Sequence, residues 1–154
     1  MDSGQFKAAL GRWATGVAVI TTRSRSGEAA GITVSSFSSL SLDPPLVLFC
    51  LGDASTGRAA FENAAGFAVH ILGVGQQDVA ARFARSGADK FAGLSTQEGL
   101  RGIPLLGGSL ACLECRMTGV VRGGDHQIVM GEVERVQLGD GEPLLYHQGR
   151  YASL

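Results

Sequence analysis

The sequence from residue 31 to residue 50 is Gly31-Ile-Thr-Val-Ser-Ser-Phe-Ser-Ser-Leu-Ser-Leu-Asp-Pro-Pro-Leu-Val-Leu-Phe-Cys50. Five serines and one threonine fall within Thr33–Ser41, between apolar segments at 31–34 and 46–51. We expect two strands to hold this serine-rich segment as a loop, since Asp43-Pro-Pro45 excludes helix before the second strand. Hydroxyls and backbone N–H groups suit a phosphate or a polar heteroaromatic ring better than a metal or an acid–base pair. Such loops are also often plain turns, so both interpretations stay open here.

The segments around this loop predict several strands and a few short helices. Phe6, Leu10 and Trp13 follow i, i+4, i+7 spacing, which predicts a helix over 3–14 with Ser3 as its N-cap. The remaining expected elements are strands at 16–22, 29–34, 46–51 and 66–72, helices at 58–65 and 76–85, an irregular stretch at 86–106 and a short terminal segment at 143–154.

Two long strands, at about 109–121 and 126–137, flank Arg122-Gly-Gly-Asp125, which is a strong hairpin signal. Successive strands are joined mostly by turns rather than by helices. The expected architecture is therefore an antiparallel barrel with helical decorations, not a βαβ array.

Composition limits the class of protein. With 154 residues, of which 45% are hydrophobic, we expect one domain spanning 1–154 with a substantial core. A net charge of −1 without a basic block argues against nucleic acid as a partner, and no apolar run is long enough for a membrane span. The low charged fraction of 18% suggests surface hidden in a subunit contact. Three cysteines and no signal-peptide character predict a reduced, cytoplasmic protein.

Three short motifs resemble chemical sites but lack the required context. Gly73-Val-Gly75-Gln-Gln-Asp78 has no third glycine and no repeated βα units around it, so we expect a strand-to-helix turn rather than a dinucleotide site. Cys112 and Cys115 lie in an expected strand, where positions i and i+3 face opposite sides, so we interpret them as buried thiols. Ser109 is followed by a strand, unlike a nucleophile elbow.

The three histidines form no metal-ligand spacing, and we expect no metal site. His70 lies in an apolar strand and is interpreted as a packed residue. His126 follows the Gly-Gly-Asp turn, where a side chain can project from a barrel rim, so it is the functional candidate of the three.

Several segments, taken in order, resemble the short-chain flavin reductase family, the reductase components of two-component flavin monooxygenases. They cover nearly the whole chain and are residues 6–17, 19–22, 31–45, 67–72, 82–83, 89–93, 124–126, 131–133 and 143–151. The resemblance implies a mainly β, antiparallel Greek-key split β-barrel with a few short helices, the FMN-binding split-barrel fold. It also implies a homodimer that uses NADH or NADPH to reduce FMN or FAD and releases the reduced flavin to a separate monooxygenase. Trp13 stands where the family pattern has phenylalanine, and we expect it in the core.

The resemblance also implies roles for individual residues. Residues expected along the isoalloxazine ring are Thr33, Val34, Ser35 and Ser36, with Cys50, Leu51, Ser55 and Thr56 beside the ring and the ribityl chain. Ser39 and Ser41 are expected toward the phosphate end. Lys90 is the expected phosphate cation, with Arg82 and Phe83 as weaker candidates for the cofactor site. His126 and Tyr151 would border the nicotinamide, with His126 as the catalytic candidate.

Two other functions compete with this hypothesis. A flavin store or carrier on the same barrel would bind flavin without reducing it. A pyridoxamine-phosphate-oxidase-like enzyme would need a basic cluster for a second phosphate, which the sequence does not offer.

Overall fold

The computed structural model describes residues 1–87 and 89–154. A seven-stranded antiparallel sheet forms the barrel, in the spatial order β3-β2-β6-β9-β10-β5-β4. The strands of the chain are β1 Thr15–Gly16, β2 Ala18–Arg23, β3 Ala29–Val34, β4 Ser38–Leu42, β5 Pro45–Gly52, β6 Gly66–Ile71, β7 Thr96–Glu98, β8 Pro104–Leu106, β9 Ala111–Gly123, β10 His126–Leu138, β11 Leu145–His147 and β12 Arg150–Ala152.

The barrel is split between β3 and β4, which form the two edges of the sheet and are joined in sequence by residues 35–37. The strands β5 and β6, which are neighbours in sequence, are separated in the sheet by β10 and β9. This non-sequential antiparallel order confirms the predicted mainly β split barrel.

The longest hairpin is the one that the Arg122-Gly-Gly-Asp125 signal predicts. The strands β9 and β10 pair from His126 opposite Gly123 to Leu138 opposite Ala111, with two register shifts. Gly124 occupies the turn with φ of +65°, a conformation that favours glycine. The hairpin brings His126 opposite Gly52 of β5, because β10 also pairs with β5.

Aromatic rings fill the barrel. The ring of Phe49 lies 5.7 Å from that of Phe61 and 5.0 Å from that of Phe67, both in edge-to-face arrangements. A second cluster, which includes Val19, Leu72 and Phe83, packs outside β2. These two clusters hold the strands that carry the serine-rich segment in a fixed position.

The described residues form three short α-helices outside the barrel: α1 Ser3–Gly11, α2 Arg58–Glu62 and α3 Gln77–Ala84. The N-cap of α1 is Asp2 rather than the expected Ser3, because the Asp2 carboxylate accepts from the N–H groups of Gly4 and Gln5. A 3₁₀ turn at Val74–Gln76 precedes α3, so the Gly73-Val-Gly75 motif is the expected strand-to-helix turn.

The expectation that Trp13 is a core residue is wrong. Trp13 lies beyond the end of α1 and is 78% exposed, and Phe6 and Leu10 are more than half exposed. The apolar face of α1 therefore has no cover within the described part of this chain. No helix described in the structure has both the length and the hydropathy that crossing a bilayer requires.

Two segments expected to be irregular contain strands. The serine-rich stretch is a loop only over 35–37, because Ser38–Leu42 pairs with β5 as the edge strand β4. Within 86–106, β7 and β8 form a small hairpin. The terminal segment adds β11 and β12, which form a separate three-stranded sheet with β1.

His70 and the two thiols of Cys112 and Cys115 are buried, as predicted. His70 is fully buried; its Nδ1 lies 3.1 Å from the Val19 carbonyl and its Nε2 lies 3.1 Å from the Leu106 N–H. This arrangement fits a neutral ring with the proton on Nδ1. Cys112 and Cys115 are free thiols in different core clusters, and burial raises their pKa values to about 11 and about 12.

Candidate functional site

A cleft of about 580 Å³ opens beside the split between β3 and β4. Its walls come from the end of β3, the serine loop 35–37, the end of β5 with loop 53–57, the end of α3 and the β9–β10 turn. Ten of the residues that the sequence assigned to the site line it: Thr33, Val34, Ser35, Ser36, Cys50, Ser55, Thr56, Phe83, Lys90 and His126. Sequence positions from 33 to 126 thus converge on one cleft.

Two hydroxyls anchor this segment, that of Thr33 at the end of β3 and that of Ser36 within the serine loop. Thr33 donates its hydroxyl to the Ala80 carbonyl of α3 at 2.7 Å. The Ser36 hydroxyl accepts the Cys50 N–H at 2.9 Å and donates to the Cys50 carbonyl at 3.4 Å. Both hydroxyls have protein partners, so they fix the shape of the loop and are not free to bind a ligand.

The backbone of the same loop supplies uncommitted donors. Within the described residues, the N–H groups of Ser35 and Ser36 have no acceptor, and neither does the N–H of Thr56 across the cleft. Exposed backbone N–H groups on two facing loops can donate to a neutral or anionic acceptor that enters the cleft.

The β9–β10 turn places an imidazole at the rim of the cleft. His126 Nδ1 lies 2.7 Å from an Asp125 carboxylate oxygen, which orients the ring and leaves Nε2 toward Gly52. A Cβ atom at Gly52 would lie 3.4 Å from that Nε2. The hydrogen bond to His126 lowers the pKa of Asp125, so this carboxylate stays charged and holds the imidazole.

Lys90 lies on the opposite side of the cleft and is half-buried. Its Nζ donates to the carbonyls of Gly31 and Phe83, each at 3.0 Å, and burial lowers its pKa. Two of the three ammonium donors have acceptors among the described residues, and the third could donate to a ligand. Lys90 also lines a smaller adjacent cavity of about 270 Å³ that shares Thr56 with the main cleft.

A close packing contact supports this side of the cleft. A Cβ atom on Gly31 would come within 2.6 Å of the Phe83 ring, so only glycine lets α3 pack this closely against β3.

Five of the predicted site residues lie away from the main cleft. Leu51 is 1% exposed and belongs to the barrel core, because Val47, Phe49 and Leu51 alternate inward while Cys50 faces the cleft. Ser39 and Ser41 lie on β4, outside the lining residues. Arg82 donates to the Ala92 carbonyl instead.

Tyr151 borders a neighbouring cavity of about 200 Å³ rather than the main cleft. Its ring packs edge-to-face against Tyr146, with ring centres 5.6 Å apart. The two cavities are adjacent, because they share Thr33, Val34, Ser35 and Ala84 as lining residues.

The structure adds lining residues that the sequence did not single out: Gly52, Asp53, Ala54, Arg85, Ser86 and Asp125. The only sequence signal for Asp53 was its place in the polar segment Gly52-Asp-Ala-Ser-Thr-Gly57. Among the residues described, no group of three or more His, Cys, Asp or Glu side chains could hold a metal ion.

Comparisons with known proteins agree with this geometry. The sequence profile described as "Flavin reductase like domain" matches residues 10–154. The chain is 40% identical to the reductase subunit HsaB of a flavin-dependent monooxygenase from Rhodococcus jostii, over all of this chain and 79% of that protein. It is 41% identical to the FMN reductase (NADH) SmoA from Agrobacterium fabrum, over 97% of this chain and 85% of that protein.

A solved structure shares the same fold along almost the entire chain. The Streptomyces globisporus NADH:FAD oxidoreductase SgcE6, in complex with NAD and FAD fragments, superposes with a TM-score of 0.91 at 36% identity. The match covers 98% of this chain and 92% of that one. Profile, sequence identity and fold agree that the chain belongs to the flavin reductase family.

Proposed function

We infer that this chain is an NAD(P)H:flavin oxidoreductase. It transfers hydride from NADH or NADPH to FMN or FAD and supplies the reduced flavin to a separate flavin-dependent monooxygenase. The observation that carries this function is the cleft itself, where uncommitted backbone donors of the serine loop face an imidazole held by Asp125. The relatives named as an FMN reductase and as a monooxygenase reductase subunit support the same activity.

The residues of the cleft fit a flavin. The Ser35 and Ser36 N–H groups are neutral donors, as the polar edge of an isoalloxazine ring requires. The volume of about 580 Å³ lies within the usual range for a cofactor pocket. The remaining donor of Lys90 is suited to a phosphate.

The bound flavin supplies the hydride acceptor, so the protein has little acid–base chemistry to perform. The serine loop would orient the ring edge, and its N–H groups would donate to an acceptor atom there that carries negative charge. The anchoring hydrogen bonds from Thr33 and Ser36 keep those N–H groups fixed before the reaction. A site with neutral backbone donors, the partly committed Lys90 and Arg85 would hold flavin loosely enough for a product that is handed on.

His126 has a positioning task beside the nicotinamide. Its Nδ1 is engaged by Asp125, so Nε2 is the nitrogen that faces the cleft. This nitrogen can hold the nicotinamide against the flavin at the distance that hydride transfer requires. Tyr151, which lines the neighbouring cavity together with Thr33, Val34 and Ser35, would border the same region.

The test is an anaerobic assay of absorbance at 340 nm with NADH or NADPH, each combined with FMN or FAD. Rapid loss of absorbance with at least one pair is the expected result. A protein that binds flavin tightly but oxidises neither nucleotide would be the carrier instead, and the function proposed here would be wrong.

We further propose that the active form is a homodimer of single-domain subunits in the cytoplasm. The uncovered apolar side chains of Phe6, Leu10 and Trp13 support a second copy as their cover. The three free thiols suit a reducing compartment. Light scattering at micromolar concentration should give twice the mass of the chain, and a monomer would contradict the dimer.

A further inference from the structure

Asp53 connects loop 53–57 to β9 and to α2 beside the cleft. Its principal partner, Arg122, is 69 residues away in sequence. Arg122 of β9 donates to both of its carboxylate oxygens, at 2.6 and 3.2 Å. Arg58, at the start of α2, lies 3.1 Å from the same carboxylate. One acidic side chain thus receives a bidentate guanidinium from the hairpin and a second guanidinium from the helix.

The backbone of Asp53 continues this connection to the imidazole at the rim. Its N–H donates to the Asp125 carbonyl at 2.9 Å. The Asp125 carboxylate in turn lies 2.7 Å from His126 Nδ1. Loop 53–57 and the turn that carries His126 are therefore connected by main-chain and side-chain bonds through two acidic residues.

A second bridge runs parallel to the first. Glu62 of α2 accepts from Arg58 Nε at 2.6 Å and from the Gln127 side-chain amide at 3.1 Å. Gln127 is the neighbour of His126 on β10. The hairpin is thus tied both to loop 53–57 and to the helix that follows this loop.

The network contributes little to global stability but much to local geometry. The side chain of Arg122 is 60% exposed, and exposed ion pairs contribute little to folding. The bidentate geometry, however, fixes both the distance and the angle between loop 53–57, which contains Asp53, and the β9–β10 hairpin, which contains Arg122. Ser55 and Thr56 of the loop and His126 of the hairpin line the cleft.

We propose that Asp53 and Arg122 are a positioning pair that sets the spacing between the flavin-contacting loop 53–57 and the nicotinamide-contacting His126. This inference rests on the proposed reductase function. Neither residue touches the reacting atoms; the pair acts by keeping two walls of the cleft at the separation that hydride transfer requires.

The test compares Arg122→Gln with Arg116→Gln. Arg116 lies on the same strand and also forms exposed ion pairs, but its partners are Glu132 and Glu134 of β10 and not a residue of loop 53–57. We expect Arg122→Gln to lower the single-turnover hydride-transfer rate about tenfold while flavin affinity changes less than about threefold. Arg116→Gln should stay within about twofold of the unmodified protein for both quantities.

A coupling measurement distinguishes positioning from general loosening. In a His126→Ala background, Arg122→Gln should slow hydride transfer by less than about twofold further, because the pair acts through the turn that carries His126. The full tenfold loss in that background would overturn the proposal. So would an Arg122→Gln variant that behaves like Arg116→Gln. If Arg122→Gln fails to fold, Asp53→Asn is the second variant, with the same expected loss.

Hydrogen exchange gives a readout independent of activity. The amides of loop 53–57 should exchange faster in Arg122→Gln than in Arg116→Gln, and equal exchange would refute the positioning pair. If Arg122→Gln shows this faster exchange but the unmodified protein has no reductase activity, only the proposed function is refuted. The two failures are therefore separable.

Discussion

The Ser36 hydroxyl and the backbone of Cys50 are joined by two hydrogen bonds, one accepted at 2.9 Å and one donated at 3.4 Å. This contact continues the pairing of β4 with β5, in which Ser38 lies opposite Leu48, into the serine loop beside the split between β3 and β4. A single hydroxyl thus fixes the loop whose N–H groups face the cleft.

Replacing Ser36 with alanine should weaken flavin binding about fivefold, because losing this contact costs about 1 kcal/mol of loop order. Flavin affinity measured by fluorescence titration checks this result. Ser38→Ala is the matched control, since Ser38 is exposed and donates only to its neighbour Ser39. Equal affinities of the two variants would show that the Ser36 contact does not shape the site.

Replacing His126 with alanine should slow hydride transfer by about 10- to 100-fold and leave flavin affinity nearly unchanged, because the role proposed for the imidazole is to position the nicotinamide and not the flavin. Stopped-flow reduction of bound flavin measures the first quantity, and titration measures the second. His147→Ala serves as the control, since His147 is exposed on β11 and lines none of the cavities described above. Unchanged reduction kinetics in His126→Ala would remove the role assigned to His126.

Lys90 offers a test of where the flavin phosphate lies. Lys90→Met should weaken FMN binding about tenfold, the usual effect of losing a charge-assisted hydrogen bond, and change riboflavin binding less than about twofold. Arg82→Met is the control, because Arg82 donates to Ala92 and lies off the cleft. Equal losses for FMN and riboflavin would mean that Lys90 only joins Gly31 to Phe83.

The sequence predicted the strands and the principal loop because the signals there are local. Two long runs with few breaks, on either side of the glycine-rich turn, define β9 and β10 without help from the rest of the chain. The strand β4 was missed because its serines have low β propensity, and it forms through pairing with β5. Leu51 was misplaced because the hydrophobic run at 46–51 hides which alternate positions face the core.

Other features depend on partners that are distant in sequence or outside the chain. The apolar spacing of Phe6, Leu10 and Trp13 predicts a buried face, but it does not say whether this chain or a second copy covers it. The contact between Asp53 and Arg122 joins loop 53–57 to the end of β9, and the two meet because β10 pairs with both β5 and β9. Neither relationship has a local sequence signature.

The buried His70 makes folding stability dependent on pH. Burial lowers its pKa from 6.5 to about 4, so the folded protein keeps the ring neutral while the unfolded chain takes up a proton below pH 6.5. The unfolded state therefore binds more protons between about pH 6.5 and pH 4, and stability falls as the pH falls through this range. Between pH 8 and pH 5 this group alone should cost about 2 kcal/mol, measured by urea unfolding. His70→Gln should lack this component of the pH dependence, although it will be less stable at pH 8. If both proteins lose the same free energy between pH 8 and pH 5, the buried imidazole does not control acid stability.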